Sequence, residues 1–119
     1  MTDDTKLNNI ENAVNTFSSP SELRITDMRT ATVCSNYDYP IIKIDTNQGV
    51  YGIGEVRDAG HRENALQFKS MLLGKNPCNL DMIYHTIKRF GTTGREGGGV
   101  SGIEIALMDI IGKVYGIPC

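Results

Sequence analysis

Apolar residues recur along this chain with two different periods, and the change of period divides it. Between Arg24 and Cys34, Thr, Val and Ile partly alternate with polar positions, the two-residue rhythm of a half-buried strand. Asn36-Tyr37-Asp38-Tyr39-Pro40 interrupts it as a loop. Ile41 to Thr46 and Val50 to Val56 are two more strands, joined by Thr46-Asn47-Gln48-Gly49, a tight turn in which the glycine supplies a positive φ. The three strands predict an antiparallel meander. Gly52 and Gly54 inside the third strand have no side chain to pack, and mark a place where another backbone comes close or the strand bulges.

From Arg62 the apolar spacing lengthens to three or four. Ala65, Phe68 and Leu72 predict a helix over 62–73, stopped at Gly74. Asn79 stands where it can cap a second helix, on which Leu80, Ile83, Tyr84, Ile87 and Phe90 share a face before Gly91 ends it. Gly91 to Gly102 reads as a Gly-rich connecting loop. In the last helix Ser101 and Glu104 have the spacing of a capping box, and Ile103, Ala106, Leu107, Ile110, Ile111 and Val114 make a wide apolar face. Gly116 suits the left-handed position past the helix end, and Pro118 cannot continue the helix. Strands followed by helices predict an α+β fold: a three-stranded antiparallel meander, then a three-helix bundle. Its expected core is Ile42, Ile44, Phe68, Leu72, Ile83, Ile87, Leu107 and Ile110. Residues 1–22 read as a flexible N-terminal tail, within which Leu7, Ile10, Val14 and Phe17 suit a short amphipathic helix broken by Ser18-Ser19-Pro20-Ser21. The domain proper is expected over 23–119.

Composition narrows the classes of function. The 119 residues carry 12 basic and 14 acidic side chains, a net charge of −2, and no basic patch interleaved with aromatics, so nucleic acid is not an expected partner. No apolar run is long enough for a membrane span, and the polar N-terminus has no signal-peptide core, so the expected location is the cytoplasm. Cys34, Cys78 and Cys119 lie far apart without a Cys-x-x-Cys pair. They read as ordinary small apolar residues, with terminal Cys119 free to be an exposed thiol.

No complete catalytic constellation is visible. The loop before the last helix follows a helix and lacks the Gly-Lys-Ser/Thr of a phosphate loop. His61, after Asp58-Ala59-Gly60 at a helix start, is placed for an acid/base role or a substrate contact, or simply as a surface or capping residue, and His85 falls on an exposed helix flank. Asp58, Glu63, Asp81, Glu96, Glu104 and Asp109 do not have metal-ligand spacing. Asp109 and Lys113, four apart, suit a surface ion pair worth some tenths of a kcal/mol. The residues therefore offer a fold and no complete catalytic site.

Four blocks, in order over roughly 95 residues, carry a resemblance. They are Ile44-Asp45-Thr46 with Gly49-Val-Tyr-Gly52-Ile-Gly54-Glu55; Leu73-Gly74-Lys-Asn-Pro77; Gly102-Ile-Glu104-Ile-Ala106-Leu107-Met-Asp109-Ile-Ile-Gly112-Lys113; and Gly116-Ile-Pro118. Together they resemble the N-terminal capping domain of the mandelate racemase and muconate lactonizing enzyme group of the enolase superfamily. Met108 stands where that family commonly has Trp.

The resemblance implies a cap covering the mouth of a modified (β/α) barrel. That barrel supplies the Mg²⁺ ligands and the acid/base groups that abstract a proton α to a carboxylate. By position, the family's substrate-covering loops correspond to 34–39 and 56–61 here, with Tyr37, Tyr39, Arg57 and His61 as candidate substrate-binding residues. Their polar character is more like acid-sugar dehydratases than enzymes for apolar carboxylates. All family metal ligands and acid/base residues would lie beyond Cys119, so no cofactor is assigned to this chain itself. The implied function is the specificity cap of a Mg²⁺-dependent dehydratase, racemase or cycloisomerase, inactive alone and partnered by a C-terminal barrel in cis or in trans. The other reading is a free-standing, non-catalytic binding module that reuses the cap fold. A cap without its barrel is expected to expose an apolar patch around the last helix and the loops at 34–39 and 56–61, and so to self-associate or to bind a barrel supplied in trans.

Overall fold

A computed structural model of the chain describes residues 19–57, 61–91 and 97–119. The amphipathic helix expected over residues 7–17 lies outside them. Three strands form one sheet in the order β1-β2-β3: β1 is Ile25–Cys34, β2 Asp38–Thr46 and β3 Tyr51–Glu55. Both pairings are antiparallel, with Met28 opposite Ile44, Thr30 opposite Ile42, and Ile44 and Ile42 opposite Gly52 and Gly54. The meander is as expected, with one difference. The β1–β2 loop shrinks to residues 35–37, because Val33 pairs with Tyr39 and Cys34 with Asp38. Gly49 turns the second hairpin at φ 78°.

The helical segments are α1 (Glu63–Leu66), α2 (Lys69–Leu72), α3 (Leu80–Lys88) and α4 (Gly97–Tyr115). The helix expected over 62–73 is thus two short pieces. At the break the N–H of Phe68 bonds to Ala65 O at 3.0 Å, a tight i−3 turn that keeps Ala65, Phe68 and Leu72 all buried. Asn79 precedes α3 but its side chain makes no capping bond; Asn76 Oδ1 instead accepts from the Cys78 N–H at 2.9 Å. Phe90, expected on the buried face, is exposed just past the end of α3.

The largest departure is at α4. It begins at Gly97, so Ser101 lies inside the helix with an exposed side chain, and the capping box does not form. Residues 97–102 are helix and not loop. The cause is close packing. A Cβ on Gly98 would lie 2.7 Å from Arg57 Cβ, one on Gly99 would strike the Asn64 carbonyl, and one on Gly102 would lie 2.7 Å from Glu55 O. The anticipated close approach at Gly52 and Gly54 is met from the other side, where added Cβ atoms would strike the Ala106 and Gly102 carbonyls of α4. Glycine on both strand and helix lets α4 lie directly on β3.

All eight expected core residues are buried, with Leu23, Ile25, Met28, Val56, Ile103, Ala106 and Val114 among those joining them. Ser19 and Gln48 exchange two hydrogen bonds, and Asn76 Nδ2 donates to Pro20 O at 2.8 Å, so the short turn Pro20–Glu22 is tied to the domain. α4 ends as the sequence predicts. Gly116 has φ 66° and the Ile117 N–H bonds back to Gly112 O at 3.0 Å, the six-to-one bond of a Schellman motif.

Candidate functional site

The candidate residues collect at one end of the sheet, where strand register, the start of α4 and the β1–β2 hairpin meet. β1 is covered at its start, where Ile25 exchanges backbone bonds with Gly74 and Lys75, but Ala31–Cys34 are exposed on both faces. The hairpin therefore projects past the helical layer. Tyr37 is at its tip, 58% exposed, and the Ser35 N–H closes the turn on Tyr37 O at 3.0 Å.

Tyr39 is not in the loop as expected but on β2, half-buried opposite Val33 on the sheet face away from the helices. The β2–β3 register continues one step beyond the strands, with the Val56 N–H donating to Pro40 O at 2.9 Å. Continuing it places Arg57 level with Tyr39. Gly98 packs on the Arg57 backbone and Gly99 on Asn64, whose N–H bonds to His61 O at 3.0 Å. The first turn of α4 thus fixes Arg57 on one side and the His61 segment on the other. Tyr39 and Arg57 are brought level, His61 lies across the α4 start, and Tyr37 stands beyond them on the hairpin.

Asp38, which the sequence did not single out, belongs to this end as well. Its carboxylate sits opposite Cys34 and hydrogen-bonds the thiol, pushing the Cys34 pKa up. Cys34 is exposed, not an apolar filler, and so is Cys119, whose Sγ donates to Met108 O at 2.8 Å; Cys78 is partly buried. The signal for Asp38 was its pairing across a short hairpin, hidden by reading 34–39 as loop.

Among the described residues no three of His, Cys, Asp and Glu come together to hold a metal ion. What the arrangement offers is recognition: a guanidinium for a carboxylate, and phenol and imidazole groups for hydroxyls.

Residues 11–119 match the family described as mandelate racemase / muconate lactonizing enzyme, N-terminal domain. The chain belongs to that family. This N-terminal domain is 34% identical over 103 residues to D-xylonate dehydratase of Haloferax volcanii, covering 82% of the chain and 25% of that protein. It is 33% identical over 119 residues to a D-galactonate dehydratase family member of a Streptomyces species, covering 86% of the chain and 26% of that protein. A crystal structure of an enolase superfamily member from Salmonella Typhimurium superposes with a TM-score of 0.72 at 29% identity, over 81% of the chain and 28% of that one. An enolase from Pantoea ananatis with bound D-gluconate and Mg superposes with a TM-score of 0.69 at 27% identity, over 77% of the chain and 25% of that one. The chain spans about a quarter of the length of the curated relatives it matches.

Proposed function

We propose that this chain is the substrate-covering domain, over residues 23–119, of an acid-sugar dehydratase-type enzyme. Tyr37, Tyr39, Arg57 and His61 would face the substrate. The supporting observation is their gathering at one exposed end of a sheet, in a domain whose relatives include dehydratases of sugar acids. An Arg57 guanidinium can take a carboxylate with two parallel hydrogen bonds. The two phenols and the imidazole can each donate to or accept from sugar hydroxyls. The projecting hairpin would close over the bound acid and exclude water, which strengthens every polar contact beneath it. Proton abstraction would belong to the barrel that completes the family's enzymes, whose residues would hold the Mg²⁺ and supply the acid/base groups. The cap alone is inactive on this reading.

The test joins the whole 119-residue chain to the barrel of the H. volcanii D-xylonate dehydratase, in place of the matching quarter. The joined protein is expected to dehydrate a sugar acid, and the 119-residue chain alone to dehydrate none. A folded joined protein that acts on no sugar acid would contradict the proposal, as would turnover by the chain alone.

A further inference from the structure

α3 carries an outer face that no described element covers. Its inner residues Ile83 and Ile87 are buried, while Met82 stands 54% exposed and Phe90, just past the helix end, 58%. Met82, Thr86 and Phe90 repeat at intervals of four, so they share one stripe. A groove of about 80 Å³ runs between this stripe and α2, lined by Met71, Lys75, Met82, Ile83, Thr86 and Ile87. A wider hollow of about 440 Å³ shares Met82 and Thr86 and continues it to His85, Arg89 and Phe90. The apolar floor thus has a basic rim of Lys75 and Arg89, and Asp81, the one acid of α3, lines neither part.

The groove lacks the set of converging polar groups that orients a small ligand. What it matches is a stretch of the same chain. Leu7, Ile10, Val14 and Phe17, spaced by three, four and three, make one apolar stripe. From Leu7 to Phe17 that stripe is about 15 Å long at a helical rise, against about 12 Å from Met82 to Phe90. Residues 1–18 carry Asp3, Asp4 and Glu11 against Lys6, opposite in sign to the rim. The point of attachment agrees. Ser19 and Gln48 exchange hydrogen bonds, and Asn76 Nδ2 donates to Pro20 O, so residue 19 is fixed beside Asn76, whose neighbour Lys75 ends the groove. Only Ser18 separates Phe17 from that anchor. A short tether holds its segment at an effective concentration of about a millimolar, so a contact too weak to hold a separate molecule suffices. The segment also needs a surface to pack on, since an isolated helix of this length is marginal in water.

We infer that residues 7–17 seat on the α2–α3 groove of their own chain, with Phe17 at the Lys75 end and Leu7 at the Phe90 end. The segment then runs antiparallel to α3, with Asp3 and Asp4 toward Lys88 and Arg89. The contact involves none of Tyr37, Tyr39, Arg57 and His61, and it is independent of the capping role.

Amide hydrogen exchange of the full 119-residue chain tests it, with the peptide 1–18 as the free reference. Residues 7–17 should exchange about 10-fold or more slowly in the chain than in the peptide. That protection should be the same at low and high protein concentration. Met82→Asp and Phe17→Asp, one on each side of the contact, should each return the rate most of the way to that of the peptide. The double variant should go no further than the more severe single one. Ile105→Asp, at an apolar residue of α4 that is 53% exposed, should leave the protection at the parent value. Amides of β2 should keep the parent rate in every variant, which reads the fold separately. Exchange of residues 7–17 at the free-peptide rate in the parent chain would overturn the inference. So would protection that survives Met82→Asp, or that rises with protein concentration, since the segment would then sit on another surface or on a second copy.

Discussion

Gly54 and Leu107 show how tightly the helix layer is set on the sheet. Gly54 has no room for a methyl group, because its Cβ would strike the Gly102 carbonyl and neither backbone can yield alone. Gly54→Ala should therefore cost about 1–3 kcal/mol or more, read as a shift in denaturation midpoint. Gly49, with nothing within 4 Å but φ 78°, should lose only about 1–2 kcal/mol as Ala, through backbone strain. Leu107 is 1% exposed, and Leu107→Ala should cost about 2–5 kcal/mol. A loss below about 0.5 kcal/mol, the scatter of surface substitutions, would mean the α4 face is misassigned. These core positions were legible in the sequence because burial follows the apolar period. The cysteines were not. Composition alone makes Cys an apolar filler, whereas Cys34 falls on a stretch of β1 that outruns the helices.

At the scale of elements, β3 is an edge strand whose free groups are latched by α4. Asp109 Oδ2 accepts from the Ile53 N–H at 2.9 Å and from Lys113 Nζ at 2.9 Å, and Lys113 Nζ also donates to Tyr51 O at 2.8 Å. The pair read from the sequence as a surface bridge is thus also a seal on the sheet edge, of the kind that blocks strand addition. Partial burial pushes the Asp109 carboxyl up, but the Lys113 and Ile53 hydrogen bonds outweigh it and the net pKa is lowered from 3.8. A carboxyl lowered on folding stabilises the fold fully above its unfolded value and loses that contribution as pH falls through the folded one. Asp109→Asn should therefore be less stable than the parent at neutral pH, with the difference shrinking as pH drops below 3.8. Denaturant midpoints from pH 7 to about 2 check it, and a difference constant with pH would contradict it. The start of α4 was illegible for a related reason. Gly costs about 1 kcal/mol per residue in a helix, so local propensity at Gly97–Gly102 argues for loop. Contact with Arg57, Asn64 and Glu55 overrides it, and only the matching glycines of β3 hinted at that contact.

For the molecule as a whole, the meander, the order of strands before helices and the core were readable from periodicity and turn chemistry. The site was readable only as loops, because its geometry depends on register. Once Val33 pairs with Tyr39, the loop shortens, Tyr39 joins the sheet and Arg57 comes level with it. The proposed capping role requires this end to face substrate in the complete enzyme. Kinetics of the joined protein test that most directly. Arg57→Ala should lower kcat/KM for a sugar acid by about 10-fold or more, and Tyr37→Phe by roughly 2–10-fold, the range for losing a charged and a neutral hydrogen bond. Lys43→Ala, on the outer sheet face, should change it little. If Arg57→Ala and Tyr37→Phe leave kcat/KM at the parent value while the fold is intact, these loops do not touch the substrate and the account is wrong.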